Sequence, residues 1–490
     1  MNYGQFLHMI PEAILTAILV ILFITDFASS KDKHRDWFNL FACVLFGVLT
    51  LVCALPLVPQ SAFGGMYITS ASVNVMKAIL ALASLIVVIM SRRWITSEES
   101  RDKEGEFYML VASTLLGMFV MMSAGHFLLF YLGLEMASIP MACLVAFDKH
   151  RNNSAEGAAK YILTAAFSSG VMLFGLSFLY GACGTLYYAD VAANLDANYL
   201  TVMGMVFFFS GLGFKISLVP FHFWTADTYE GAPTVVTGYL SVVSKGAAAF
   251  TFAVILFKVF PSVYNEAALY NVWHYFLYIV IVLSITVANL FAIRQKDLKR
   301  FMAFSSISQA GYIMLAITGE QAMGITALSF YVLVYVVANL AVFSVISVVE
   351  MNNGGTTDMD SYNGFYTTNP KLSFLMTIAL FSLAGIPPFA GMFSKFFVFM
   401  SGVSGHTFDT KIGVLAYIVV FVALINTVVS LYYYLLIVKA MYIKKTETPL
   451  PAFRSDKNTK LALALCTAGI AAFGILSAIY EWIFNAAATF

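Results

Sequence analysis

Charged residues are scarce in this chain: Asp, Glu, Lys and Arg together make up 11% of its 490 residues. A soluble domain carries about 25%. Hydrophobic residues account for 60% of the chain, and its mean hydropathy is +0.84. This composition excludes a soluble globular enzyme. The formal net charge of +1 also excludes a basic surface for nucleic acid.

The chain also lacks the motifs that hold cofactors. Its five cysteines are scattered among apolar residues and never spaced as CxxC, so we interpret them as small packed residues and not as ligands of zinc or an iron–sulfur cluster. Neither a Walker-type phosphate loop nor a GxGxxG after a strand is present. These absences predict that this chain holds no cofactor and no metal.

Long apolar runs are what the chain has in abundance. A membrane span needs about 20 apolar residues, and the alternating short segments of a membrane barrel are missing. We therefore predict an all-α integral membrane protein. The runs predict 14 spans, at residues 9–26, 37–59, 72–91, 106–123, 126–147, 155–182, 199–224, 233–259, 271–293, 300–318, 321–349, 371–401, 411–440 and 460–485. The first run contains Glu12 and no cleavage pattern, which predicts a retained span and not a signal peptide.

Positive charges are distributed unequally between the connections. The odd-numbered loops hold 21 Lys and Arg residues, whereas the even-numbered loops hold two, Lys258 and Lys411. By the positive-inside rule the odd loops face the cytoplasm, which predicts that both termini lie on the outer, periplasmic side. The four remaining cations fall inside the predicted spans: Lys77, Lys215, Lys245 and Lys395.

Intramembrane charge marks candidate functional sites, because an ionised group at bilayer depth costs at least about 2.5 kcal/mol. Lys77 and Glu12 lie near the outer ends of their spans, so we expect both to reach the interface by snorkelling. The deeper charges cannot do so, and either a function or a structural ion pair explains them. These deeper residues are Glu135, Lys215, Lys245 and Lys395.

Two of the deep lysines stand beside predicted helix breaks. Span 7 contains GLGFKISLVPFHFW (211–224), in which Pro220 removes a helical hydrogen bond near Lys215, and span 12 contains LAGIPPFAGMFSKFF (383–397), in which two prolines precede Lys395. Breaks of this kind form ion sites in transporters. Spans 4–8 and 9–13 start from opposite sides of the membrane, so they predict two inverted five-helix repeats. The predicted division is 1–105, 106–259, 260–440 and 441–490.

Three segments resemble the antiporter-like membrane subunits of respiratory complex I, the proton-pumping NADH:quinone oxidoreductase. The segments are FYLGLEMASIPM (130–141), GLGFKISLVPFHFWTADTYEGAPTVVTGYLSVVSKGAAAF (211–250) and RQKDLKRFMAFSSISQAGY (294–312). The chain is similar to one sister subunit in particular, because it has lysine at positions 245 and 395 and the sequence YEGAP at 229–233. The resemblance implies a proton-translocating subunit in a bacterial inner membrane, with other complex I membrane subunits as partners. NADH, FMN, the iron–sulfur clusters and quinone are then expected in partner subunits.

The resemblance also implies roles for individual residues. Glu135, Lys215, Lys245 and Lys395 match the positions that form the family's proton path. A secondary set would complete the path, because span 11 offers hydroxyl groups and an amide but no acid, histidine or lysine between Lys245 and Lys395. This set comprises His222, Ser305, Ser306, Tyr312 and Tyr335.

Several alternatives stay open at this stage. His222, Asp227 and Glu230 either collect protons at the cytoplasmic end of span 7 or are solvated loop charges that cap span 8. The basic segment 294–300 is either a positive-inside anchor or a subunit contact. A cation/proton antiporter subunit without a redox partner is the main rival function, and a scaffold that conducts nothing is the second.

Overall fold

The computed structural model describes residues 3–29, 35, 37–97, 100–149, 151–261, 267–447 and 449–490. Two cations that contribute to the predicted orientation, Lys31 and Lys33, lie outside the described residues. Inside the described ranges the chain is a bundle of helices, most of them longer than four turns. Each predicted span is present, either as one helix or as two helical segments.

The first eight spans and their connections contain eleven helices. These are α1 (Ile10–Ala28), α2 (Phe38–Ala54), α3 (Ala71–Ile95), α4 (Glu104–Met122), α5 (Phe127–Val145), α6 (Asn152–Cys183), α7 (Tyr188–Asn194), α8 (Tyr199–Ile216), α9 (Phe223–Gly231), α10 (Thr234–Tyr239) and α11 (Lys245–Val259). A π-helical turn at Leu240–Ser244 joins α10 to α11, so span 8 is continuous but wider just before Lys245. Such turns are frequent at functional sites.

The remaining six spans and their connections contain nine helices. These are α12 (Ala267–Ile293), α13 (Leu298–Leu315), α14 (Gln321–Asn352), α15 (Phe365–Thr368), α16 (Pro370–Ala384), α17 (Ala390–Val403), α18 (Lys411–Tyr442), α19 (Lys457–Ile475) and α20 (Ser477–Ala487). Short 3-10 helices lie at Tyr3–His8, Phe63–Gly65, Arg101–Lys103, Ala316–Thr318 and Met359–Tyr362.

The helix count agrees with the prediction of 14 spans. Twelve helices of the described ranges are long and apolar enough to cross a membrane, and three shorter ones, α2, α16 and α17, are also apolar. Because α16 and α17 are the two halves of broken span 12, the total is fourteen. The predicted fold class, an all-α integral membrane protein, is confirmed.

A small β-hairpin between α2 and α3 departs from the helical pattern. Strand β1 (Ser61–Ala62) pairs antiparallel with β2 (Tyr67–Ile68). The turn between them needs left-handed backbone at Gly64 (φ 66°) and Gly65 (φ 88°), which glycine adopts without a steric cost. No sequence pattern predicts this hairpin, because strands of two residues have no periodicity.

Both predicted breaks are present. Helix α8 ends at Ile216, where Ser217 turns into left-handed backbone, and the chain stays non-helical until α9 begins at Phe223. Helix α16 ends at Ala384 with Gly385 as a left-handed cap (φ 87°), and α17 begins at Ala390. Each break lies in the fourth span of a predicted five-helix unit. The exact limits of those units stay a prediction.

The centre of the bundle consists of spans 8 and 11. Span 8 (Thr234–Val259) is completely covered by other helices, and α14 is covered over 94% of its apolar window, whereas α6 and α18 are covered over only 39%. Many apolar side chains of α6 and α18, among them Phe167 and Val428, therefore face outward, as in helices that contact lipid or another subunit. Lys245 and the hydroxyl groups of α14 consequently lie in the interior.

Candidate functional site

Lys215 lies in the last turn of α8, directly before the first break. Its amine donates hydrogen bonds to the Ser138 hydroxyl on α5 and to the Tyr161 hydroxyl on α6, the latter at 3.2 Å. The amine also stands 5.2 Å from the centre of the Tyr161 ring. The carboxyl end of a helix carries partial negative charge, so this position suits a cation. The Lys215 amine is therefore held by hydroxyl groups of α5 and α6.

Glu135 lies one turn before Ser138 on α5, and its depth in the bilayer stays a prediction. The residue is half-buried, because α5 presents Leu132 and Ile139 to the outside of the bundle. Its Oε1 atom is buried and finds no hydrogen-bond partner among the described residues. Lys215 directs its amine to Ser138 and not to this carboxylate. The structure thus brings Glu135 and Lys215 into one region without an ion pair between them.

Lys245 follows the π-helical turn and lies in the interior, where it is 3% exposed. Its amine donates to the Ser306 hydroxyl on α13 at 2.5 Å. Ser306 in turn donates to the Tyr229 hydroxyl at 3.1 Å, and the Lys245 amine lies 5.0 Å from the Tyr229 ring centre. Ser306, predicted as a secondary path residue, is therefore in direct contact with a predicted path lysine.

Lys395 lies in α17, after the second break. Its amine folds back and donates to the main-chain carbonyl of Ala384, the last residue of α16, at 3.1 Å. The ring of Tyr312 lies 5.1 Å from the same amine. Tyr312 donates its hydroxyl hydrogen to the Ala423 carbonyl at 3.2 Å, so its ring and not its hydroxyl faces Lys395. This contact differs from the hydroxyl relay that the sequence analysis assigned to Tyr312.

A polar network lies between Lys245 and Lys395, and the residues predicted from the sequence form only part of it. Ser305, next to Ser306, hydrogen-bonds the Tyr434 hydroxyl at 2.5 Å. Gln309 donates to the same hydroxyl at 3.1 Å and accepts a hydrogen bond from Tyr331. The spacing of Ser305, Gln309 and Tyr312 on one helical face was the available signal for Gln309. No pattern distinguishes Tyr434 from its tyrosine neighbours.

A small cavity connects this network to Lys395. Its volume is about 10 Å³, which is room for about one water molecule. Tyr335, another predicted path residue, has a buried hydroxyl for which the described residues offer no hydrogen-bond partner. A water molecule in the cavity would have several polar groups to bind. Its lining includes Gln309, Tyr331, Tyr335, Ser394 and Lys395.

The charged residues after the first break form ion pairs. Asp227 accepts from Lys160 at 2.6 Å and from Arg300 at 2.7 Å, and Arg300 also donates to Glu230 at 2.6 Å. Burial raises the pKa of Asp227, but the hydrogen bonds from Lys160 and Arg300 outweigh it and hold this pKa below its usual value. His222 is buried, and its Nδ1 atom is unpartnered in the part of the chain that the structure describes.

This arrangement bears on one of the open alternatives. Among the described residues no side chain caps α10, whose preceding residue is Pro233, so the proposed capping of span 8 by Asp227 or Glu230 is wrong, while proton collection by these residues stays a prediction. From the basic segment 294–300, Arg300 joins the two halves of the chain by pairing with α9. The anchor and the subunit contact both stay predictions for this segment.

Lys77 and Glu12 do not snorkel, contrary to the prediction. Lys77 is completely buried, Glu12 is 3% exposed, and their charged atoms are 2.7 Å apart. Glu12 also accepts from the Tyr67 hydroxyl at 3.0 Å. The two charges offset each other in the apolar interior, which removes the need for either to reach water. No three His, Cys, Asp or Glu residues of the described ranges stand close enough together to hold a metal ion.

Comparison with known proteins places the chain in a family. Residues 124–426 match the family model described as NADH:quinone oxidoreductase/Mrp antiporter, TM. Subunit N of the NADH-quinone oxidoreductase from Phocaeicola vulgatus is 52% identical over 98% of both chains. The chain belongs to the family of NADH-quinone oxidoreductase subunit N. The subunit N of Azobacteroides pseudotrichonymphae is 50% identical over 99% of this chain and 98% of its own.

Solved structures agree with this assignment. A chain of respiratory complex I from Thermus thermophilus with bound aureothin is 28% identical, with a TM-score of 0.78 over 96% of this chain and 98% of that one. A chain of the Mrp complex from Dietzia has a TM-score of 0.84 over all of this chain and 97% of that one, but at 18% identity it supports the fold alone. The predicted antiporter-like subunit of NADH-quinone oxidoreductase, of the subunit N type, is thereby confirmed.

Proposed function

We propose that protons cross the membrane through this subunit N family member along Glu135, Lys215, Lys245 and Lys395. One contrast supports this proposal. Lys77 has a carboxylate partner at 2.7 Å, whereas no Asp or Glu of the described residues forms an ion pair with Lys215, Lys245 or Lys395, whose amines contact hydroxyl and carbonyl oxygens. A buried ammonium without a counter-ion is unfavourable, so the surroundings of these three amines suit a proton carrier, whereas those of Lys77 suit a structural ion pair.

The first part of the route runs from Lys215 to Lys245. A carboxylate that approaches Lys215 favours its ammonium form, and one that withdraws favours the free amine. Glu135, with one unpartnered oxygen, supplies such a carboxylate. Tyr161 and Tyr229 are fully buried beside the two lysines and lie on helices α6 and α9, which are joined by the bond from Thr228 to Gly157. Tyr229 and Ser306 then lead to Lys245.

The second part of the route runs from Lys245 to Lys395. Ser305, Tyr434, Gln309 and Tyr331 are connected by hydrogen bonds, and the adjoining cavity reaches Lys395. Two ammonium groups in a low-dielectric interior repel each other. The proton on Lys395 is therefore released when Lys245 becomes charged.

The membrane partners of this chain are other membrane subunits of the oxidoreductase. NADH, FMN, iron–sulfur clusters and quinone belong to partner subunits in this proposal, and their redox chemistry drives the proton movement. The odd-numbered loops face the cytoplasm, both termini face the periplasm, and residues 106–259 and 260–440 form the two inverted repeats of an inner-membrane subunit.

Thiol labelling tests this orientation. In a cysteine-free background, single cysteines at Asn152 and Thr446 should react from the cytoplasmic side, and one at Asp196 from the periplasmic side. A reversed reaction at any of these positions would overturn the proposed topology. Asp32, a further labelling position in the first loop, lies outside the described residues.

Substitution of Lys245 tests the route. Lys245→Arg keeps the positive charge, but a guanidinium stays protonated in proteins. We expect Lys245→Arg to reduce protons translocated per NADH oxidised nearly as far as Lys245→Ala does. Lys258→Ala is the matched control, because Lys258 lies on the same helix but contacts the Phe490 ring at 4.4 Å. Normal pumping in both Lys245 variants would indicate a scaffold, and sodium-dependent proton flux would favour the cation/proton antiporter.

A further inference from the structure

A polar cavity opens at the end of the bundle that the proposed orientation assigns to the cytoplasm. Its volume is about 510 Å³, which is enough for several water molecules. It lies where the end of α9, the start of α13 and the end of α14 meet, together with the loop 354–358. We call it the vestibule. Its charged lining residues are Arg151, Glu230, Asp297, Lys299, Glu350 and Asp358.

Glu350 is the most deeply placed carboxylate of the vestibule. It is only 9% exposed and accepts a hydrogen bond from the Thr234 hydroxyl at 2.5 Å. Arg151 reaches the same carboxylate at 3.3 Å, and the Lys299 amine stands 3.9 Å away. The Lys299 amine donates instead to the Ala232 carbonyl, at 2.7 Å. Both cations therefore hold Glu350 less closely than Lys160 and Arg300 hold Asp227.

Arg151 is the more exposed of the two cations beside this carboxylate. It lies in the short connection before α6, its side chain is 50% exposed, and it also pairs with Asp148 at 3.0 Å. Gly355 has left-handed backbone (φ +81°), and a Cβ atom there would stand 3.0 Å from the Arg151 guanidinium. An exposed arginine with a second acidic partner can leave Glu350 and remain paired. Departure of Arg151 would open Glu350 to vestibule water.

Polar groups lead inward from the vestibule toward Lys245. Lys299 and Ser306 are both on α13, seven residues or about two helical turns apart, and Ser306 accepts the hydrogen bond from Lys245. On α14, Asn339 lies eleven residues before Glu350 and so on the same face. Asn339 donates to Ser241 in the π-helical turn at 2.6 Å, while its Oδ1 atom is buried without a partner among the described residues.

We propose that Glu350 takes up protons from the vestibule and passes them toward Lys245, as an entrance separate from the His222 and Asp227 region. This proposal rests on the proposed function of Lys245. A hydronium ion in the vestibule gives its proton to the Glu350 carboxylate and becomes water, leaving a neutral carboxylic acid. That acid transfers the proton, through intervening water and hydroxyl groups, to the free amine of Lys245. The products are an ammonium group and a regenerated carboxylate.

The test is Glu350→Gln in the intact oxidoreductase, reconstituted in vesicles. We expect protons translocated per NADH oxidised to fall about twofold or more, while NADH oxidation with an artificial acceptor and subunit assembly stay normal. Asp358→Asn is the matched control, because Asp358 lines the same vestibule but is exposed. It should pump normally. Wild-type pumping in Glu350→Gln would overturn the proposal.

Three further variants separate proton uptake from a structural role. Arg151→Ala and Thr234→Val remove contacts of Glu350 but keep its carboxylate, so we expect both variants to retain most of the pumping. Glu350→Asp keeps a carboxylate at this position, so we expect it to pump better than Glu350→Gln. Losses in both contact variants as large as in Glu350→Gln would show that Glu350 only joins helices. If Lys245→Ala pumps normally, the proposed function fails. If Lys245→Ala fails to pump and Glu350→Gln pumps normally, only the vestibule entrance fails.

Discussion

Each of the two helix breaks has a lysine beside it, but the two amines meet different partners. Lys215 precedes its break and occupies the last turn of α8, and its amine reaches hydroxyl groups on α5 and α6. Lys395 follows its break, and its amine returns to the carbonyl of Ala384, the last residue of α16. Only the Lys395 nitrogen therefore meets the carboxyl end of the first half-helix. That end carries partial negative charge and unsatisfied carbonyl groups.

The surroundings of the two lysines differ more than their positions. Lys215 has two hydroxyl partners and a carboxylate, Glu135, in the same region. In the described residues, Lys395 has one carbonyl partner, an aromatic ring and a small cavity. The protonation of a lysine with a nearby acid can be switched by moving that acid. The protonation of a lysine without one depends on the charge of the next lysine in the route. The comparison suggests that the first break drives the route and that the second stores and releases the proton.

The largest effect is expected at the first break. Lys215→Ala should reduce proton translocation about tenfold, and Glu135→Gln should reduce it severalfold, because each removes one member of the switch. The double variant should be little worse than Lys215→Ala alone, as coupled residues are not additive. Protons translocated per NADH oxidised, measured in vesicles, provide the check. Losses that multiply in the double variant would show that the residues act independently.

A smaller effect is expected at the second break. Lys395→Ala should reduce proton translocation about two- to threefold, less than Lys215→Ala, because Lys215 and Glu135 can still exchange a proton. Lys395→Glu should restore part of the activity, since an acid can also store a proton. Lys371→Ala, at the exposed start of α16, serves as the control. Equal losses at Lys215 and Lys395 would contradict the proposed difference between the breaks.

Substitutions in the polar network beside the second break should reduce proton translocation only weakly. Tyr434→Phe removes the hydroxyl shared by Ser305 and Gln309, and we expect a loss of less than about twofold because cavity water replaces it in part. Tyr433→Phe is the matched control: this neighbouring tyrosine is equally buried, but its hydroxyl donates to Asn289 at 3.0 Å and bonds neither Ser305 nor Gln309. A larger loss in Tyr433→Phe than in Tyr434→Phe would argue against the route through Gln309.

The smallest expected effect is on the stability of the protein. It concerns the ion pairs that follow the first break, where Arg300 joins this region to the second repeat. Because the pKa of Asp227 is held below its usual value, its ion pairs stabilise the fold above the unfolded pKa of about 4. This contribution is lost as the pH falls through the lower, folded pKa. Asp227→Asn should cost about 1 kcal/mol or less at neutral pH and nothing in strong acid. Thermal unfolding of the detergent-solubilised oxidoreductase measures this difference.

Glu156→Gln is the comparison variant for Asp227→Asn. Glu156 pairs with Lys160 at 2.5 Å, but its side chain is 62% exposed. We expect no change in its unfolding temperature at either pH. An Asp227→Asn protein that is as stable as the unsubstituted one at neutral pH would show that the ion pairs contribute nothing.

Most of the fold could be predicted, and the site only in part. Apolar runs long enough to cross a bilayer predicted all the spans. Neighbouring glycines and prolines predicted both breaks. Both signals are local in the sequence. The polar network was harder: Gln309 shares a helical face with Ser305, but Tyr434 becomes a relay candidate only because α18 packs beside α13. The hairpin at residues 61–68 left no pattern to find.

The sequence by itself determined that this chain crosses the membrane about 14 times, where its helices break, and which cations lie at bilayer depth. Only the tertiary structure decided what each cation meets. Lys77 pairs with Glu12, 65 residues away, and becomes a fixed charge, while Lys215 meets Ser138, 77 residues away, in place of Glu135. Partners of this kind depend on how each helix is rotated against its neighbours. Hydrophobic periodicity constrains that rotation too loosely to choose between two side chains one turn apart.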